Sequence, residues 1–348
     1  MLVVLISALL VANATPALAG VAQYVIAISI DGGGSSYLQA LIDQDLLPNF
    51  KRLQREGAST NNARSDHDLT ITLPNHVSMV TGRAIYGINH NGHLWSGNSD
   101  PSTTPTETSY SIQNNKGTYV YSLFDVAHDN GLSTALYASK SKFSLFNQSY
   151  NLNKGSSDLS GPVKGANKID TYYYHANSSR MTTEFINAMS DRPFNYVLLH
   201  YHDGDTAGHH YGWGSPEYNQ ALISIDGQLG RIFDLVTGTP ALRGKTDIIL
   251  TADHGGMGKN HSNSDELLNY RVPFYVWGPD TQAGANLYAL NPTTRVNPGT
   301  TNPPYTDAVQ PIRNGELANL ALDILNLGAV PGSTLNPAQD LSIGAVPH

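Results

Sequence analysis

The chain has no cysteine among its 348 residues. That absence removes disulfides, thiolate nucleophiles and cysteine metal ligands in one step, so any metal site must be built from Asp, Glu and His. There is no run of Lys or Arg, and the formal net charge is −8. Neither property suits a nucleic-acid or anionic-membrane surface, and phosphate chemistry would need a local positive source. No segment approaches the roughly 18 unbroken apolar residues of a transmembrane helix. No internal repeat is apparent, and Gly32-Gly33-Gly34 lacks the G-x-G-x-x-G spacing of a dinucleotide loop.

What is present begins with an apolar stretch, Leu2 to Ala12, followed by Ala17-Leu18-Ala19 before Gly20, the small-x-small pattern of a signal-peptidase site. Residues 1–19 are therefore read as a signal peptide cleaved near Ala19, and the protein as exported. Its n-region carries no Lys or Arg, so a retained anchor is the alternative. Residues 20–348 are read as a single domain of ordinary apolar content, 40%.

Within it, strand-like and helix-like segments alternate. Tyr24 to Ile30 is a continuous apolar run, as expected of a parallel strand buried on both faces. Tyr196 to Tyr201, Asp247 to Thr251, Val272 to Trp277 and Ser133 to Tyr137 read as further strands. Helices are expected at Pro48 to Arg55, Tyr121 to His128, Met181 to Met189 and Leu317 to Leu325. Another starts at Ser215-Pro216-Glu217, an N-cap followed by proline in the first turn, with apolar positions at Leu222, Ile225, Leu229 and Ile232. The alternation predicts an α/β fold with a mostly parallel central sheet and helices on both faces. Two polar stretches, 96–116 and 281–306, read as surface insertions.

Residues able to bind a metal sit just past three of those strands. Asp31 follows the first; Asp205 and His209 follow Tyr196 to Tyr201; Asp253-His254 and then His261 follow Asp247 to Thr251. Parallel strands deliver their carboxyl ends to one edge, so these residues can converge despite their separation in sequence. The spacing of Asp205 and His209 places both on one face of a helical turn. Asp66-His67 repeats the Asp-His dipeptide in a polar stretch with no strand expected before it, so setting matters as much as residue type. Thr72, in Thr72-Leu73-Pro74-Asn75-His76, precedes a proline well placed for the first turn of a helix. Its hydroxyl either caps that helix or, with its pKa depressed by a bound divalent metal, serves as a nucleophile.

Taken together, Ser-Ile-Asp31-Gly, Thr72-Leu-Pro-Asn-His followed by Val-Thr-Gly, Asp205-x-x-Gly-His209 and Asp253-His254-Gly resemble the alkaline phosphatase superfamily in order and spacing. The chain is most similar to its nucleotide pyrophosphatase/phosphodiesterase branch, over roughly residues 24–280. The resemblance implies an alkaline-phosphatase-like fold and a site for two divalent metal ions, expected to be zinc. One would be held by Asp31, Thr72, Asp253 and His254, and the other by Asp205, His209 and a third histidine. It implies attack by Thr72 on a small phosphorylated substrate through a phosphothreonine, with an asparagine holding a phosphate oxygen; Asn91 is the best match. In that branch the third histidine lies much later, but no histidine stands between His261 and His348, which makes His261 the candidate. The aromatic that often follows the nucleophile is Leu73 here, and Trp95, Trp213 or Tyr172 to Tyr174 are the residues left to supply an aromatic wall. The alternatives are a phosphomonoesterase of the alkaline type, without an evident arginine clamp, and a non-catalytic exported metal-binding protein.

Overall fold

The computed structural model describes residues 21–101, 110–158 and 165–344, so the signal segment and part of the first polar stretch lie outside the described residues. Eight strands form one sheet: β1 (Tyr24–Ile30), β2 (Ala58–Arg64), β3 (Thr134–Ala138), β4 (Thr171–Tyr174), β5 (Tyr196–Tyr201), β6 (Thr246–Thr251), β7 (Arg271–Trp277) and β8 (Ala285–Asn286). Their order is β4-β3-β5-β1-β6-β7-β2-β8. Only β7 runs against its neighbours, so the mostly parallel α/β sheet expected from the sequence is the one observed.

Central β1 explains its own composition. Val25 and Ala27 enter one apolar core with the Thr72–Thr81, Leu123–Asp129 and Leu317–Ile324 helices, whereas Ile26, Ile28 and Ile30 enter a second core. That second core takes the Ser35–Asp43, Pro48–Glu56, Ser178–Asp191 and Pro216–Gly238 helices. Both faces are covered, so no polar alternation is required along the strand. The Pro216–Gly238 helix begins as its sequence predicts: Ser215 accepts the Tyr218 N–H, and Leu222, Ile225, Leu229 and Ile232 are buried.

The pairing register fixes where the strands end. Ile28 lies opposite Leu199 of β5 and Leu250 of β6, so β1, β5 and β6 release their next residues at one level of one edge. β3, on the far side of β5, ends at that edge as well.

Three expectations are revised. β2, Ala-Ser-Thr-Asn-Asn-Ala-Arg, is too polar to announce a strand, yet pairing with β7 and β8 makes it one, with an irregularity between Thr60 and Ala63. Asp66-His67 therefore does follow a strand. Tyr172 to Tyr174 belong to edge strand β4. The 281–306 stretch is more than a surface insertion: it contributes β8, buries Leu287 and places Arg295 against Glu316 at 2.8 Å. Of the 96–116 stretch, residues 102–109 are outside the described residues, and Ile112 near its end is buried. Among the described residues, no helix is long and apolar enough to cross a membrane.

The segment leading into the Thr72–Thr81 helix is tied down by two buried side chains. Asp66 accepts the N–H groups of Asp68 (2.8 Å) and Ile85 (2.9 Å) and the Tyr305 hydroxyl (2.6 Å). Asn75 accepts the Asp66 N–H and donates to the Leu69 and Ile71 carbonyls. Asp66 is thus fully engaged in holding the loop. Replacing it with Ala strands the buried Ile85 N–H and the half-buried Asp68 N–H and should cost roughly 2–3 kcal/mol, read as a fall in the urea midpoint without loss of bound metal.

Candidate active site

At the shared edge, β1 delivers Asp31, β6 delivers Asp253 and His254, and the Asp203–Tyr211 helix that follows β5 delivers Asp205 and His209. The chain turns sharply after Asp31 because Gly32 adopts φ 70°, and the Gly32 N–H donates to Asp253 Oδ1 at 3.0 Å. The glycines after His254 serve a different need: a Cβ on Gly255 would collide with the Leu268 carbonyl, and one on Gly256 with the Trp213 indole.

Asp31, Asp253 and His254 form one cluster, fully buried. Asp253 Oδ1 accepts two backbone N–H groups, from Gly32 and from His254 (2.8 Å), while Oδ2 has no hydrogen-bond partner. Asp31 Oδ2 meets His200 Nε2 at 3.0 Å and Lys140 Nζ at 2.6 Å, and its Oδ1 is unpartnered. The His254 Nδ1–H donates to the Gly255 carbonyl at 2.8 Å. That bond leaves the Nε2 lone pair facing Asp31 and Asp253, at 3.7 and 3.2 Å.

Thr72 is the first residue of its helix, and the preceding Ile71 occupies the cap position without a side-chain bond. Its hydroxyl is therefore not a cap; Oγ1 lies 3.4 Å from His254 Nε2. His76, one turn on, donates from Nδ1 to the Thr72 carbonyl (2.8 Å) and meets Ser29 of β1 at 2.7 Å, which fastens the start of this helix to the central strand.

Asp205, His209 and His261 form the second cluster. His209 Nε2 and His261 Nε2 are 3.1 Å apart and lie 3.3 and 3.6 Å from Asp205 Oδ1, an oxygen with no hydrogen-bond partner. Again each Nδ1 is held by a carbonyl, Lys259 for His209 (3.0 Å) and Thr70 for His261 (2.6 Å). Asn260 Oδ1 accepts the N–H groups of His261 and Ser262, which folds the loop so that His261 reaches back to the site. Its ring stacks on that of His254 with centroids 3.6 Å apart, so the two clusters adjoin. The first is sealed, whereas the His209 side chain is 47% exposed and borders an open cavity of about 650 Å³ shared with His202, His210 and Tyr211.

Burial drives His254 down to about 3 and lowers His261, so both imidazoles are neutral and keep a lone pair. Burial and the neighbouring Asp31 and Asp205 push Asp253 well above the usual carboxylate range. Asp205, raised by burial and Asp31 but lowered more by His209 and Lys140, is held at about 2. Three converging carboxylates, three orphaned oxygens and three imidazoles oriented through Nδ1 make a donor set that fits two divalent cations. A third group, His128, Asp129 and Asp158, has Lys168 Nζ 2.5 Å from Asp129 and 2.7 Å from Asp158, and the carbonyl of that lysine accepts the Thr134 hydroxyl at the opposite end of β3, away from the edge that carries Thr72.

The structure thus brings Asp31, Thr72, Asp205, His209, Asp253, His254 and His261 together. Asn91 is exposed, at the end of the Ile88–His90 turn. The asparagine that reaches the start of the Thr72–Thr81 helix is Asn98, whose Oδ1 accepts the Leu73 N–H at 3.1 Å. Lys140 and His200 also escaped the sequence reading. A signal for each existed: Lys140 stands two residues past β3, and His200 interrupts an apolar strand. Trp213 is a wedge in the fold, donating to the Gly32 carbonyl at 2.9 Å, and Trp95 is buried and donates to Gly97. Leu73 is fully buried.

Among curated proteins the chain is similar to human ectonucleotide pyrophosphatase/phosphodiesterase family member 5, 26% identical over 239 residues, 67% of this chain and 45% of that protein. It is also similar to human family member 7, 24% identical over 260 residues, 73% and 52% of the two chains. The chain spans about half the length of these relatives. Among solved structures, murine family member 5, an inactive form in complex with AMP, superposes with a TM-score of 0.59 at 16% identity, covering 92% of this chain and 99% of that one. A Vibrio parahaemolyticus protein of the alkaline phosphatase superfamily gives 0.56 at 13% identity, with 93% and 71% covered. The family model for type I phosphodiesterase / nucleotide pyrophosphatase matches residues 25–314, most of the chain, and the protein belongs to that family.

Proposed function

We propose that this protein is an exported hydrolase of phosphodiester or phosphoanhydride bonds that works through a phosphothreonine at Thr72. The observation that carries the reading is the position of the Thr72 hydroxyl, at a helix start and 3.4 Å from His254 Nε2, the atom that faces the unpartnered oxygens of Asp31 and Asp253. Asp31, Asp253 and His254, with Thr72, would hold one divalent ion, and Asp205, His209 and His261 the other; the oxygen and imidazole donors favour zinc. Such ions supply Lewis acidity and lower the pKa of a coordinated hydroxyl or water.

The chain's own groups do the rest. Thr72 Oγ1 loses its proton and attacks phosphorus; the bond to the leaving oxygen breaks, and the leaving group departs as an alcohol or phosphate once protonated. Water then attacks the phosphothreonine, releases the phosphoryl product and returns the hydroxyl. The start of the helix places its positive dipole end beside the phosphoryl group. Asn98, its oxygen engaged by the Leu73 N–H, is placed to offer its amide Nδ2 to a phosphoryl oxygen. Buried Leu73 offers no surface for base stacking, so selection for a nucleobase is not part of this proposal.

Bis-p-nitrophenyl phosphate should be turned over faster than p-nitrophenyl phosphate; strong preference for the monoester would replace this reading with that of a phosphomonoesterase. Thr72→Ala should keep both metals and lower kcat by at least about 10³-fold, whereas full turnover by the metal-loaded variant would exclude the covalent route. Asn98→Ala should lose roughly 10²-fold in kcat, with Asn91→Ala close to wild type. Chelation should abolish turnover and zinc restore it; full activity with fewer than two ions per chain would contradict the paired site.

A further inference from the structure

Lys140 lies between the two clusters and belongs to neither. Its Nζ is 2.6 Å from Asp31 Oδ2 and 2.6 Å from Asp205 Oδ2, and its side chain is 17% exposed. The contacts divide each aspartate in the same way. Oδ2 takes the lysine, and Oδ1 is the buried oxygen with no hydrogen-bond partner. For Asp205 that Oδ1 is the atom nearest His209 and His261, and for Asp31 it is the atom facing His254.

We propose that Lys140 is a positioning residue: a cation carried by the protein that clamps the carboxylates of the two half-sites by their outer oxygens and presents one inner oxygen of each to a metal. The proposal rests on reading the two clusters as metal half-sites. An ammonium has three donors and no acceptor, so it can bind two carboxylates at once without competing for lone pairs. It joins residues that β1 and the helix after β5 would otherwise hold independently. It also supplies the positive charge that lets Asp31 and Asp205 approach each other before any metal arrives. Lys168 bridges Asp129 and Asp158 similarly, but in a group away from Thr72, and serves as an internal control.

The test compares melting temperatures of the wild type, Lys140→Met and Lys168→Met after chelation and with saturating zinc. In the chelated protein Lys140→Met leaves two buried carboxylates uncompensated and should lower Tm by at least about 5 °C, a deficit that largely closes on adding zinc. Lys168→Met should show the same deficit in both conditions. An equal deficit for Lys140→Met with and without zinc, or none in either, would overturn the clamp. Should Lys140→Met fail to fold, Lys140→Met/Asp205→Asn, which removes one of the two uncompensated charges and with it their mutual repulsion, should fold without metal; a double variant no more stable than the single one would also overturn the proposal. Zinc that fails to raise the wild-type Tm would instead count against the metal reading, and the chelated comparison would still judge the clamp.

Discussion

The structure depends on holding carboxylates together against their own repulsion. Two unit charges of one sign about 4–5 Å apart at an effective dielectric near 20 repel by roughly 3–4 kcal/mol, and three aspartates converge at this sheet edge. The fold meets that cost with oriented dipoles and one ammonium. Two N–H groups point at Asp253 Oδ1, His200 meets Asp31, and Lys140 spans Asp31 and Asp205. What is left over, one free oxygen on each aspartate, is a centre built for cations.

The Thr72–Thr81 helix is subordinate to that centre. All ten residues of Thr72–Thr81 are buried, an unusual state for a helix containing Thr, Asn, His and Ser, and each polar member has a task. Asn75 secures the incoming loop, His76 fastens the Thr72 carbonyl to β1, and Ser78 meets His93 at 3.0 Å. Thr70 and His261 are bonded reciprocally, side chain to backbone in each direction, so the loop before Thr72 is tied to the second cluster. Asn314, within 3.2 Å of Asn75 Oδ1 and of the Ala252 and Asp253 carbonyls, joins the helix to the first cluster. These bonds fix the position of Thr72 relative to both clusters.

The two Asp-His dipeptides illustrate how setting decides role. Both follow strands that run in the same direction to the same edge, contrary to the expectation that only Asp253-His254 would. Asp253 comes just after β6, next to the central strand, where Asp31 and Asp205 face it. Asp66 comes after β2, two strands further out, where backbone N–H groups and Tyr305 take up its carboxylate. The same pair of residues is a candidate ligand set in one place and a loop anchor in the other.

Local pattern by itself determined β1, β5, β6 and most of the helices, because strands covered on both faces must be apolar throughout and caps are short-range features. It determined the candidate metal ligands too, because parallel strands have to bring their carboxyl ends to one edge. Tertiary structure alone decided the remainder. The polar β2 is a strand only through its partners β7 and β8. Asn98 rather than Asn91 meets the Thr72–Thr81 helix because the intervening chain turns through Ile88–His90 before it returns. Lys140 lies some hundred residues from Asp31 and 65 from Asp205, and only the side-by-side placement of β3, β5 and β1 brings its charge between them. Burial, hydrogen bonding and charge compensation are relations among distant residues, and no window of sequence contains them.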